Sequence, residues 1–185
     1  MTNDVELVVL ADENGQPSGT APKITVHTAD TPLHFAFSAY LLNENGHLLM
    51  SRRALSKKTW PGVWTNSFCG HPGPGESNAE AVRRRSIEEL GFPEDALTGI
   101  TEILPDFRYR AVDSSGIVEN ELCPVFTARL RPGAQADPSP DEIDSMSWVD
   151  PTDLLAAVDA TPFAFSPWLI EELSHTQLRE ALFRR

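Results

Sequence analysis

The chain is expected to form one α+β domain spanning residues 1–185, with a mixed β-sheet core flanked by helices. Three observations point there. Segments with alternating apolar residues run through much of the chain, one well-capped helix interrupts them, and a second helical pattern lies near the end. At 185 residues and 41% hydrophobic content, a single domain can bury roughly 70% of the surface its unfolded chain exposes.

The elements follow in order. VELVVLA (5–11) and HFAFSAYLL (34–42) alternate as strands do. HLLMSRR (47–53) follows the turn signal Asn45-Gly46, so 35–50 reads as a hairpin. Ser77-Asn-Ala-Glu80 is a capping-box signature and Gly91 a stop signal, predicting a helix over 77–90. Ala79, Val82, Ser86 and Leu90 share one face of it, and Arg85 and Glu89 sit a turn apart on its flank, at the edge of the core. ILPDFRYRA and VENELCPVFTARL read as two further strands, 131–140 as loop, MSWVD as a short last strand and DLLAAVD as a helix. In SPWLIEEL, Ser166 can cap a helix that Pro167 opens, with Leu169, Ile170 and Leu173 on its apolar face. Trp148 reads as core, and His47 and His175 as exposed.

Composition narrows the function. A net charge of −12, from 27 acidic and 15 basic side chains, disfavours a broad electrostatic grip on nucleic acid. No apolar run nears the roughly 18 residues of a membrane span, and the mean hydropathy is −0.26. Cys69 and Cys123 do not make a disulfide framework, and no leader pattern opens the sequence, so a reducing cytoplasm is expected. No obligate protein partner is inferred. An anionic ligand must therefore be met locally, and positive charge is clustered in SRRALSKK and in Arg83, Arg84 and Arg85, on either side of one loop.

That loop, TNSFCGHPGPGE (65–76), sets a thiol and an imidazole two residues apart on backbone rich in glycine and proline. A lone cysteine is more often inert and buried, and Cys123, beside Pro124 in an apolar strand, is assigned nothing. With the helix, the loop carries a spaced pattern: Gly70, five residues, Glu76, seven residues, Arg84, then Glu88, Glu89 and Gly91. This resembles the Nudix motif, whose glutamates gather divalent metal around a diphosphate in hydrolases. Arg85 and Ser86 stand where that motif has glutamate and an apolar residue, which speaks against hydrolysis.

HTADTPLHFAFS, RRALSKKTWPGVWTNSFCGHP, PDFRYRA, SGIVENELCPVF and DATPFAFSPW resemble the type I isopentenyl-diphosphate isomerases over about residues 4–175. The resemblance implies a Nudix-like fold and a shift of a carbon–carbon double bond through a tertiary carbocation. Such chemistry needs an acid and a base across a dry pocket, a stabiliser for the cation and a cradle for the diphosphate. The resemblance makes Cys69 and Glu121 the proton-transfer pair, with Tyr109 supporting Glu121 through a hydrogen bond. His27, His34, His71, Glu119 and Glu121 become ligands of one metal ion. Three imidazoles and two carboxylates suit Zn2+ or Mn2+ better than Ca2+. It further implies Lys23, Arg53, Lys57 and Arg85 at the diphosphate, with Mg2+ held in part by Glu89. For Arg85 and Glu89 the plainer reading is a helix pair worth about 0.3–0.5 kcal/mol. Trp168 matches the family's aromatic, which could contribute a cation–π contact of about 2 kcal/mol when desolvated, although tryptophan at a helix start is commonly core packing. Trp60 and Trp64 can shape the pocket. Two other readings stay open: a Nudix diphosphohydrolase, and a binding module with a structural metal.

Overall fold

A computed structural model of the chain describes residues 5–184. The expected outer limits of the domain, 1 and 185, and the start of the resemblance at 4 lie outside the described residues. Two sheets organise the rest. The first has the order β2-β1-β3-β10-β9, from β1 (Leu7–Ala11), β2 (Pro17–Pro22), β3 (His34–Phe35), β9 (Arg108–Val112) and β10 (Val118–Leu122). The second has the order β12-β5-β4-β11-β8, from β4 (Phe37–Leu42), β5 (Leu48–Arg53), β8 (Leu97–Leu104), β11 (Val125–Leu130) and β12 (Ile143–Val149). β6 (Trp64–Thr65) joins β5, and β7 (Phe68–Gly70) joins β4.

Every residue of β4 is buried because helices cover both faces of its sheet. Phe37, Ala39 and Leu41 pack in one core with Ala81, Val82 and Leu90 of α2 (Asn78–Leu90). Tyr40 and Leu42 point the other way. They join a core with Leu154 and Val158 of α3 (Pro151–Ala160), Trp168 and Leu169 of α4 (Pro167–Glu172) and Leu178 of α5 (Thr176–Ala181).

Three segments that read as single strands are each split between the two sheets. β3 becomes β4 at Ala36, and β10 becomes β11 at Cys123-Pro124. The two cross together as a parallel pair: Glu121 lies opposite His34 before the break and Val125 opposite Ser38 after it. Pro124 has no N–H to continue a ladder, but its carbonyl accepts from Ser38 N at 3.1 Å, and Leu122 O accepts from Ala36 N at 2.9 Å. ILPDFRYRA likewise turns after Leu104, so β8 and β9 lie in different sheets.

The expected 35–50 hairpin also opens. β4 and β5 are paired at Leu42–Leu48, then diverge to admit β7 against β4 and β6 against β5. Cys69 therefore sits on a short strand opposite Ser38 rather than on irregular loop. Helix α2 has the anticipated capping box, and Gly91 closes it at φ 65°. A Cβ there would lie 2.1 Å from Asp137 O, and one on Gly70 would lie 2.8 Å from Arg85 Cγ and 3.0 Å from the Phe37 ring. The two motif glycines thus permit close backbone approach, one at the helix stop and one beneath the helix.

β2, α1 (Lys23–Val26) and α5 were not anticipated from the sequence; the terminal helical region breaks after Glu172, with the exposed His175 at the N-terminal end of α5 and making no side-chain capping bond. Residues 131–140 are loop in the main, as expected. Trp148 is not core: it lies on β12, at the edge of its sheet, and is 40% exposed.

Candidate active site

All the site residues anticipated from the sequence except His34 line one cavity of about 630 Å³. His34 stands behind its wall, fully buried. The cavity forms where strands pass from one sheet to the other. Cys69 on β7 is contributed by the second sheet, Glu121 on β10 and Tyr109 on β9 by the first, Trp168 by the first turn of α4, and Arg85 and Glu89 by α2.

His27, His34, His71 and Glu121 each present a ligand atom, all within 4.8 Å of one another. His34 Nδ1 donates to Pro32 O at 2.9 Å, which leaves Nε2 facing the cluster. His34 Nε2 lies 3.2 Å from His71 Nε2, and His71 Nε2 lies 3.1 Å from Glu121 Oε1. Glu119 is one step farther out. Its Oε1 accepts from Thr59 Oγ1 at 2.8 Å, and its Oε2 is 2.9 Å from His27 Nε2. That last pair is close but misaligned: neither atom makes a hydrogen bond, and His71 Nδ1 also lacks one. Buried polar atoms left without partners are uncommon. Nitrogen and carboxylate donors converging in this way fit a borderline divalent cation.

The electrostatics of the cluster are shared. Burial alone would push the Glu121 carboxyl above its usual range, yet hydrogen bonds from His34 and His71 hold it well below that range. Burial pushes His71 down to about 4, whereas for His34 the adjoining Glu121 overcomes burial and moves the imidazole upward. The carboxylate is thus ionised, and His71 presents a neutral ring suited to ligation.

Cys69 Sγ lies 3.3 Å from Ser38 Oγ and within 3.3–3.4 Å of both amide atoms of Asn66. Burial, reinforced by nearby Glu172, pushes the thiol far up, so it holds its proton at neutral pH. Asn66 also accepts from Trp168 Nε1 at 3.1 Å and from Thr65 Oγ1 at 2.7 Å, while its amide donates to the carbonyls of Ala39 and Phe68. One fully buried amide therefore fixes both the thiol and the indole. Sequence reasoning passed over Asn66 and Ser38; their only signal was adjacency to Cys69, in chain for the first and across the ladder for the second.

Trp168 is buried, with Arg53 Cζ 5.4 Å from its ring centroid and Trp60 edge-on at 5.4 Å. Trp60 is held at φ 44°, an unusual conformation for a bulky residue, and its N–H donates to Asp113 Oδ2 at 2.8 Å. Tyr109 is directly opposite Glu121 in the strand register. The expected hydrogen bond between them is not formed among the described residues; the imidazoles occupy Glu121 instead.

Lys23, Lys57 and Arg85 are matched by acids, of which the sequence anticipated Glu89 beside Arg85 but not Glu6 or Glu142. Lys23 pairs with Glu6 at 2.9 Å, and Lys57 with Glu142. Arg85 meets Glu89 as well as Glu88 at 3.0 Å, Glu142 at 3.4 Å and Glu6 at 3.5 Å. Both of its bonds to Glu89 fall on Oε1. Arg53 donates to Thr59 O. The motif residues Glu76 and Arg84 form a two-bond pair at 2.8 Å, and Arg84 also reaches His71 O at 3.0 Å and Glu88 at 3.0 Å. They brace the loop that carries His71.

Residues 32–169 match the family described as NUDIX domain. The chain is 64% identical over 182 residues to the isopentenyl-diphosphate Delta-isomerase of Corynebacterium glutamicum, covering 98% of this chain and 96% of that protein. It is 61% identical over the same length to that of Corynebacterium efficiens, with the same coverage. A Deinococcus radiodurans crystal structure superimposes with a TM-score of 0.67 at 24% identity, covering 97% of this chain and 100% of that one. The MutT protein of Methanosarcina mazei gives 0.57 at 20% identity, over 81% and 96%. These two structures speak to the fold alone.

Proposed function

The chain belongs to the NUDIX family and, within it, to the isopentenyl-diphosphate Delta-isomerases, and from that premise we propose that it interconverts isopentenyl and dimethylallyl diphosphate by proton transfer between Cys69 and Glu121. One observation carries the reading. A protonated thiol from one sheet and an ionised carboxylate from the other face the same cavity.

The alkene is unactivated, so an acid must supply a proton outright. The Cys69 thiol gives its proton to the terminal carbon, the π electrons form the new C–H bond, and a tertiary cation is left at the adjacent carbon. Glu121 removes a proton from the far side, and the released C–H electrons close the new double bond. Trp168 supplies an electron-rich face to the cation. Asn66 keeps thiol and indole in fixed relation, and the buried setting excludes water that would trap the cation.

The imidazole–carboxylate cluster suits one Mn2+ or Zn2+, held by His27, His34, His71 and Glu121 with Glu119 beside His27; such an ion would tune the basicity of Glu121. Lys23, Arg53, Lys57 and Arg85 would receive the diphosphate, and Glu89, whose Oε2 is outside the Arg85 bonds, would share an accompanying Mg2+. Such an ion would offset the acids that already pair with these cations. Hydrolysis is less well supported, since Arg84 and Arg85 engage Glu76, Glu88 and Glu89.

The reading treats 1–185 as one catalytic domain acting in the cytoplasm on a small diphosphate, without nucleic acid, membrane or obligate protein partner. Among the described residues no helix is long and apolar enough to cross a membrane. Incubation of pure protein with isopentenyl diphosphate and Mg2+ tests the proposal. Dimethylallyl diphosphate is the expected product; released phosphate would indicate a hydrolase, and unchanged substrate a binding module.

A further inference from the structure

The loop before β12 brings into the basic cradle an acid that the proton-transfer chemistry above does not use. This loop folds back on the end of α2: Asp137 N donates to Leu90 O at 2.9 Å and Ser139 N to Glu89 O at 2.8 Å. Glu142 N then donates to Ser139 O at 3.0 Å, and Glu142 O accepts at 3.0 Å from Ala54 N, just past the end of β5. The backbone of Glu142 is thus tied through Ser139 to α2, which carries Arg85, and directly to the end of β5, which carries Arg53. Its side chain lines the cavity, with Oε2 on Lys57 and Oε1 3.4 Å from Arg85 Nη2. Burial would raise this carboxyl, but Lys57 and Arg85 hold it below its usual value, so it is charged at neutral pH.

We propose that Glu142 is a specificity-determining residue of the diphosphate site, whose carboxylate makes the site select Mg2+-bound diphosphate over the free anion. Charge balance decides the preference. Lys23, Lys57 and Arg85 already face Glu6, Glu89 and Glu142 at the cavity wall, so most of the positive charge there is answered before any ligand arrives. Free diphosphate brings more negative charge than the remaining surplus can meet, and it must settle beside a carboxylate that holds two of its intended partners. Mg2+ on the diphosphate removes most of that excess and turns the neighbouring carboxylates from repulsive to attractive. Glu142 acts more strongly than Glu6, because its side chain is 23% exposed against 46% and is less screened by water. A carboxylate that only steadied Lys57 and Arg85 would behave differently: its loss would weaken diphosphate binding with and without Mg2+ alike.

The role rests on the proposed diphosphate site at Lys23, Arg53, Lys57 and Arg85. Its test is calorimetric titration of metal-loaded enzyme with inorganic diphosphate, in Mg2+-free buffer and at saturating Mg2+. The ratio of the two dissociation constants measures the preference, and wild type is expected to bind at least about tenfold more weakly without Mg2+. Glu142→Gln keeps the shape and removes the charge. It should tighten Mg2+-free binding and shrink the ratio by about tenfold, a modest part of what a charge a few ångströms away is worth near a protein surface. Glu142→Asp, which restores the carboxylate, should hold the ratio within about threefold of wild type. Conversion of isopentenyl diphosphate by Glu142→Gln should also reach half its maximal rate at lower Mg2+ than in wild type. If Glu142→Gln does not fold, Glu142→Ala makes the same comparison, and a wild type that binds diphosphate equally well under both conditions overturns the preference without any variant. A ratio unchanged in Glu142→Gln, including one in which both constants weaken together, overturns the role of Glu142 and leaves it a brace for Lys57 and Arg85. A wild type that binds no diphosphate under either condition overturns the diphosphate site itself.

Discussion

Trp168 offers the sharpest separation of chemistry from packing, because the structure gives the indole three distinct jobs. It fills the core at 3% exposure, donates from Nε1 to Asn66 Oδ1 at 3.1 Å, and turns its ring to a cation, with Arg53 Cζ at 5.4 Å. Trp168→Phe and Trp168→Leu both remove the N–H bond, worth about 1 kcal/mol, and both leave unfilled volume. Phenylalanine alone retains a π face. The difference between the two variants therefore isolates the ring's attraction for positive charge. At about 2 kcal/mol for a desolvated contact, losing it means roughly a thirtyfold drop in kcat. Loss of Arg53's aromatic neighbour is expected in KM, since Arg53 is proposed to serve the diphosphate rather than the reacting carbons. The assay is conversion of isopentenyl diphosphate followed by proton NMR, normalised to the folded fraction from denaturant titration. Phe should keep most of the lost ground that Leu does not. Equal kcat values for the two would refute a role in stabilising the cation and leave Trp168 as core.

The other tests address separate parts of the site. Cys69→Ala should abolish detectable isomerisation while the fold persists, because its half-buried side chain lines the cavity; Cys123→Ala should remain active, with a modest loss of stability from its buried position. Chelation should remove turnover, and His71→Ala should lower bound metal measured by elemental analysis as well as activity; a fully active, metal-free preparation would sink the metal assignment. For Glu172, the folded midpoint of about 8 lies above the ordinary value of 4.5, so the native state is favoured while the group is protonated. Stability should then decline as pH rises from about 4.5 to about 8, and denaturant titrations of Glu172→Gln should lack that slope. Gly91→Ala should cost at least about 1 kcal/mol in the same titrations, since alanine is strained at φ 65° and its Cβ would collide with Asp137 O; an unchanged midpoint would contradict the close approach.

What could be read from residue order alone was what local physics controls. Ser77, Glu80 and Gly91 mark the ends of α2 because caps satisfy backbone groups within a few residues. Alternation marked the core strands, and the spaced Gly70, Glu76, Arg84 and Glu89, with the longer matching segments around Cys69 and Glu121, carried the family. Those segments also named the residues that the fold gathers around one cavity.

Tertiary structure alone decided the relations between distant residues. Nothing in HFAFSAYLL or VENELCPVFTARL says that each splits between two sheets, because the break at Ala36 is set by its parallel partner at Cys123-Pro124. The hairpin around Asn45-Gly46 opens because β6 and β7 supply alternative partners for the same backbone groups. Trp148 is apolar enough for a core but falls on an edge strand. Glu6 and Glu142 answer Lys23, Lys57 and Arg85 from far along the chain, and Glu172 reaches Tyr40 across 132 residues. Burial and pairing are properties of the packed whole: a glutamate has the same side chain at 121 and 172, yet imidazoles hold the first ionised while an apolar surround raises the second.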